Sequence, residues 1–507
     1  MAFSELFQLA EFVAASPVSK NGMRALFNSE SEEDPFRIAY EGILNKEIKN
    51  EDELSETLLG TGTNSRAYRE FKHQFVNRLM NMSFHFQLKN NKAYPPYFYS
   101  QYACLRKLFT AEVLISSGKR KVAAPLLEQA LRIAGEIQFT FVEFESAYLL
   151  ANHYAQTNQP GKLAAIEKQL TKSLDDLKVE LEARSIFNQL SRIFKASASS
   201  HAHLKPQVNE WRKKLRKLSI QCPRFNVVMF YHRVNLMYYQ QTQQYNLVIS
   251  ECAKVEQYLS DNSIFRTPAR RVEFTIQKIN AYLHLKDYEK GFAFARECEG
   301  LFNSKTSNWF IYREQYFLLS LYSRKYRNAV LIFSNTVRNT AFERQEKYVK
   351  EKWQLFQAYL ELLLPAKENV QLNKRVKKLN HLELLNSTKL LDKDKHGYHI
   401  AITMVSALLL LKNSEYSILH VNEMALKRFR DHYLRKQINK RHWLVIRFIF
   451  FSMTNQKDML GLRQEADNLR MSLRSYTEQA EETEIIPYEI LLQEVMKKLV
   501  KQKQLVN

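Results

Sequence analysis

Eleven glycines and eleven prolines are spread over 507 residues, and this scarcity restricts how the chain can turn. Doubly wound sheets, sandwiches and propellers need many glycine-containing turns. Helical hairpins need few, because each helix runs long and its turn is short. Hydrophobic residues make up 45% of the chain, ample apolar surface to fold with. The length exceeds one ordinary compact core. The expectation is an all-α protein of stacked helices, arranged as several domains or one elongated array.

Periodicity supports this. Phe3, Leu6, Phe7, Ala10 and Val13 fall on one helix face. An acidic break at 29–35 follows, and Phe36, Tyr40, Ile43 and Leu44 start a second stripe. Phe71, Phe75, Leu79, Met82 and Phe86 form a third. The polar stretch 89–96 ends in Pro95-Pro96 and reads as a boundary. Residues 1–96 are expected to be an irregular helical N-terminal capping domain.

From Tyr97 the pattern repeats. Leu108, Ala111, Leu114 and Ile115 mark a helix, Ser116-Ser117-Gly118 a turn, and Ala123, Leu127, Ala130, Leu131 and Ala134 the returning helix. Pro125 is tolerable there only near the first turn. A second pair turns at Thr157-Asn158-Gln159-Pro160-Gly161. Later hairpins share a signature: Tyr245, Tyr288 and Tyr326 each follow a short polar turn. Val248, Gly291 and Ala329 come three residues later, and Cys252, Ala295 and Phe333 seven residues later. Arg120, Ala123 and Leu127 keep these offsets, and Tyr416 with Leu419 is a weaker copy. An aromatic at the start of the second helix fills the notch above the turn. A slim residue one turn on lets two helices approach, and a larger one meets the next hairpin. Stacked hairpins bury what one hairpin cannot, giving a superhelical solenoid. The array is expected over 97–475, with joints near 196–207 and 365–395. Residues 476–507 form a linker and a basic capping helix.

The blocks Ser117–Ala123, Lys286–Gly291 and Arg324–Ala329, with the run Ala123 to Ala134, resemble the turn region and second helix of the tetratricopeptide repeat (TPR). The repeats here are longer than that family's 34 residues. The acidic front end and basic solenoid are also similar to uncharacterised bacterial helical-repeat proteins. The TPR resemblance implies a right-handed α-α superhelix, a TPR-like solenoid of antiparallel helix hairpins. It also implies a scaffold that binds a protein or peptide on a concave surface lined by the first helix of each pair.

Motifs for catalysis or cofactors are not found. Gly60-Thr61-Gly62-Thr63 lacks the later glycine of a dinucleotide fingerprint and the lysine of a P-loop, and reads as a turn. Cys104, Cys222, Cys252 and Cys298 form no CxxC pair, and there is no HExxH. His201 and His203 read as a solvated loop, and Glu481, Glu482 and Glu484 as a charged loop. No catalytic residue, metal ligand or cofactor is expected, and the chain is read as not an enzyme. Scattered thiols suit a reducing cytoplasm. The N-terminus lacks a basic n-region, and the apolar run 402–411 is too short to cross a bilayer. A cytoplasmic location is expected.

Formal net charge is +22, with −7 in residues 1–65 and +29 in the rest. Two basic clusters follow from this asymmetry. One is Arg212, Lys213, Lys214, Arg216 and Lys217, after Trp211. The other is Lys427, Arg428, Arg430, Arg435, Lys436, Lys440, Arg441 and Arg447, opposed in sequence only by Asp431. Such clusters beside aromatic rings can hold phosphates and bases, or form solvated helix faces whose stems cover apolar neighbours. Two functions remain in view: a scaffold for a protein or peptide partner, or a nucleic-acid-binding solenoid using 211–217 and 427–447.

Overall fold

The structure, a computed structural model, describes residues 3–15, 26–27, 31, 33–85, 95–195, 205–364, 372, 398–433, 440–456, 458–476 and 484–504. Among the described residues there are 22 α-helices and no strand. No described helix is long and apolar enough to cross a membrane. The chain divides into two compact units, one of residues 1–242 with 257–267 and one of residues 243–256 with 268–507. That division falls inside the stretch expected to be one array.

The first unit opens with α1 (Phe3–Ala15), α2 (Pro35–Leu44), α3 (Glu51–Leu59) and α4 (Arg66–Asn81). The starts of α2, α3 and α4 are set by side-chain caps. The Asp34 carboxylate accepts from the Phe36 amide at 2.8 Å. Asn50 and Glu53 cap α3 reciprocally: Asn50 accepts from the Glu53 amide at 2.8 Å, and Glu53 accepts from the Lys49 amide at 2.7 Å. Gly60 ends α3 in the left-handed region at φ 60°. The glycine-threonine segment is therefore an inter-helix turn. Phe36, Phe71 and Phe75 stack at the centre of this core.

Next come α5 (Pro96–Ser116), α6 (Arg120–Glu136), α7 (Thr140–Gln156) and α8 (Pro160–Lys195), each packed on the next, with α5 also against α7. Pro125 lies in the second turn of α6, beyond the position where its missing amide would go unused. The expected joint at 196–207 is largely outside the described residues. Beyond it, α9 (Lys205–Gln221) and α10 (Phe225–Gln241) pack on each other and on α8.

The second unit takes up Tyr245–Glu256 of α11 (Tyr245–Asp261), then α12 (Pro268–His284), α13 (Tyr288–Glu297), α14 (Ser307–Tyr322), α15 (Tyr326–Val337) and α16 (Lys347–Leu363). Apart from Leu372, the expected joint at 365–395 lies outside the described residues. The rest of the unit is α17 (Tyr398–Lys412), α18 (Tyr416–Val421), α19 (Glu423–Tyr433), α20 (Lys440–Thr454), α21 (Met459–Arg474) and α22 (Tyr488–Gln504). Residues 401–412 of α17 are buried on every side by α16, α18, α20 and α22. The apolar run 402–411 is thus a core helix, as a helix apolar all round should be. The last helix, α22, packs against α16, α17 and α21.

One turn geometry recurs seven times among the described residues. Gly118, Gln138, Asn158, Gln243, Lys286, Arg324 and Ser414 all have φ between 50° and 74°, and each lies two residues before the next helix begins. Six of these turns carry the longer Schellman bond, for example Lys119 amide to Leu114 carbonyl at 2.7 Å and Glu415 amide to Leu410 carbonyl at 2.9 Å. The offsets read in the sequence sit on this frame. Ala123, Leu127, Val248, Ala295, Ala329 and Phe333 are buried. Tyr245 stacks on His284 with ring centroids 4.2 Å apart, and Tyr288 on Tyr322 at 4.6 Å. A Cβ on Gly291 would meet Tyr282 Cβ at 2.8 Å and Leu319 Cδ2 at 2.6 Å. Gly291 therefore allows the close approach of α13 to its neighbours.

Candidate functional site

A cavity of about 840 Å³ in the second unit lies along α12, α14 and α16, the first helices of successive pairs. The segment 484–487 forms its opposite wall. That segment leads into α22 and is held much as a bound peptide would be. The Tyr322 hydroxyl donates to the Ile485 carbonyl. The Tyr359 hydroxyl meets the Ile486 backbone amide. Burial holds both tyrosines well above the ordinary phenol range, so both stay neutral. Ile486 is buried.

Arg441 anchors the acidic end. Its Nε and one terminal nitrogen donate to both Glu484 oxygens at 2.7 and 2.6 Å. The same terminal nitrogen reaches Glu489 at 2.8 Å, and the other reaches the Leu473 carbonyl at 2.5 Å. The side chains of Arg441 and Glu484 are 3% and 1% exposed. Burial would lower the Arg441 pKa, but the hydrogen bonds to Glu484 and Glu489 outweigh it and raise it. Glu484 is therefore an internal carboxylate, where the sequence suggested a charged loop; Glu481 and Glu482 lie outside the described residues. On the cavity wall, Lys352 pairs with Glu314 at 2.8 Å. Lys286 and Arg474 are exposed and make no ion pair among the described residues.

The 427–447 cluster is not a uniform basic face. Arg441 is buried between carboxylates. Lys427 pairs with Glu423 at 2.6 Å, Arg430 with Asp431 at 2.8 Å and Arg447 with Glu465 at 2.8 Å. Lys440 lies 5.5 Å from the centroid of the Trp443 ring, and Arg428 is exposed. Arg435 and Lys436 lie outside the described residues. Folding brings in Glu423, Glu465, Glu484 and Glu489 from beyond the sequence window.

The 212–217 cluster is different. Arg212 lies over the Tyr238 ring at 4.3 Å and donates to Asn209. Lys214 pairs with Glu182. Lys213, Arg216 and Lys217 are exposed on α9 and make no ion pair among the described residues. The cysteines are free thiols, three of them buried and Cys298 partly so. No group of three or more potential metal ligands occurs among the described residues. His201 and His203 lie outside them. Tyr322, Tyr359 and Glu484 carried no sequence signal beyond the aromatic and acidic content around them. Comparison with family models, curated proteins and solved structures finds no match to this chain.

Proposed function

We propose that this chain is a non-catalytic interaction scaffold that binds an extended acidic segment of a protein partner along α12, α14 and α16. Its helix pairs stack within each unit as TPR-like repeats in a right-handed superhelical sense. One observation carries the reading: tyrosine hydroxyls of α14 and α16 already meet the backbone of a non-helical stretch of chain, whose glutamate is held by Arg441 of α20. The adjoining cavity offers Lys286 and Arg474 to a further acidic segment, and Leu283, Leu318 and Phe356 to its apolar side chains.

The test is fluorescence anisotropy with a labelled peptide of alternating Glu and Ile. Wild-type protein should bind it, and Lys286→Glu with Arg474→Glu should weaken binding by about tenfold or more. A Lys–Ile twin should not compete at this groove. Equal binding by the wild type and the double variant would sink the reading.

A second reading has one observation in its favour, the three uncompensated cations of α9. Nucleic-acid binding there would fall steeply with salt, with a slope of about −0.7 per phosphate contacted on a single strand. Replacing Lys213, Arg216 and Lys217 with Gln should flatten that slope. Absence of RNA and DNA binding at low salt would eliminate it.

A further inference from the structure

We propose that the exposed face of α5 and α7 in the first unit docks a protein segment that is both apolar and cationic, seating a lysine or arginine between Glu112 and Glu145. This surface is separate from the groove of the second unit, and its partner chemistry is the opposite. On α5, Leu105, Phe109 and Val113 recur every four residues and are 40%, 53% and 49% exposed. On α7, Phe141 and Tyr148 are 52% and 47% exposed. Both helices bury their other faces: Cys104, Leu108 and Ala111 on α5, and Val142, Ala147 and Leu150 on α7. The exposed residues are therefore a second stripe beyond what the core uses. Exposed apolar residues repeated along one helix face in this way mark an interaction site.

The carboxylates say what should cover it. Glu112 adjoins Val113 on α5 and lies one helical turn from Phe109. Glu145 lies four residues from Phe141 and three from Tyr148 on α7. The two helices pack against each other, and Glu112 is close enough to disfavour the charge on Glu145. Burial and then Glu112 raise the Glu145 carboxyl above its usual range. Neither carboxylate has an ion-pair partner among the described residues. Two like charges held together on an apolar surface are relieved by one cation placed between them. Rings beside them add attraction for an ammonium or guanidinium group. The rest of the chain opposes this choice, because a net charge of +22 repels cationic peptides. Binding of such a peptide would therefore report this local face and not the overall field.

The experiment uses the full chain and three labelled peptides of equal length, alternating Leu–Lys, Leu–Glu and Ser–Lys, followed by anisotropy. Wild type should bind Leu–Lys about tenfold or more tighter than Ser–Lys. Glu112→Gln with Glu145→Gln should weaken Leu–Lys binding by about tenfold. Glu112→Lys with Glu145→Lys should prefer Leu–Glu to Leu–Lys at this face. All four substitutions are at solvent-accessible positions, and circular dichroism confirms that each variant is folded. Lys286→Gln with Arg474→Gln, which removes the cations of the groove without adding carboxylates, should leave Leu–Lys binding unchanged, which separates failure of this proposal from failure of the groove reading. Leu–Lys binding that ignores both carboxylates would overturn the proposal. So would concentration-dependent self-association abolished by Phe109→Ser, which would make a second copy the occupant.

Discussion

Arg441 and His442 are adjacent residues with opposite electrostatic fates. Arg441 keeps its charge in the interior because two carboxylates and a carbonyl surround it. Arg441→Met would leave Glu484 buried without its partner. Denaturant titration should show a loss of about 3–5 kcal/mol. His442 is buried against the Tyr488 ring at 5.4 Å. Burial, and then the Arg441 charge, lower its pKa to about 4. The unfolded chain takes up this proton near pH 6.5, while the folded protein resists it until about pH 4. The stability from neutral His442 is therefore fully present above pH 6.5 and is lost as pH falls through that window, by at most about 3 kcal/mol. His442→Phe should lose less stability than wild type between pH 6.5 and 4. Parallel pH curves for the two proteins would refute this.

At the scale of elements, the recurring turn sets how each helix hands over to the next. Six of its seven left-handed positions hold residues other than glycine, at a conformational cost that glycine would not incur. Gln243→Gly and Arg324→Gly should each stabilise the protein by about 0.5–1 kcal/mol, read as a shift in denaturant midpoint with unchanged slope. Gly291→Ala should act in the other direction. Its new methyl would meet Tyr282 Cβ, which is fixed to the α12 backbone and cannot rotate away. A loss of about 1–3 kcal/mol is expected from overpacking, against only about 1 kcal/mol of helix propensity gained. Unchanged or raised stability would show that α13 can shift to accept the methyl. The tyrosine signature marked three of these turns and Gly118 a fourth. The Asn158 turn was legible in the run Thr157 to Gly161, whereas the turn at Gln138 shares the backbone but leads into Thr140, and no side-chain pattern revealed it.

For the whole molecule, each unit buries its own clusters. Among the described residues, the first holds clusters that include Phe75, Leu127 and Leu215. The second holds one large cluster built around α14, α16 and α17. Calorimetry should resolve more than one unfolding transition, and Arg441→Met should move only the transition of the second unit. A single transition shifted as a whole would mean that the two cores melt together.

The residue order alone determined that the chain is helical, where many helices lie and many of the positions that they bury. Those properties follow from local periodicity, the rarity of glycine and proline, and the chemistry of turns. Charge was legible only as a tally. The sequence window 427–447 holds eight cations and one acid. Yet Glu423, Glu465, Glu484 and Glu489 reach its cations only after α19, α20, α21 and the start of α22 have come together. The tertiary structure likewise decided that the segment 484–487 lines a groove, and that Glu112 and Glu145 share a face. Pairing and desolvation depend on distances of a few ångströms between residues far apart in the chain. Only packing sets those distances.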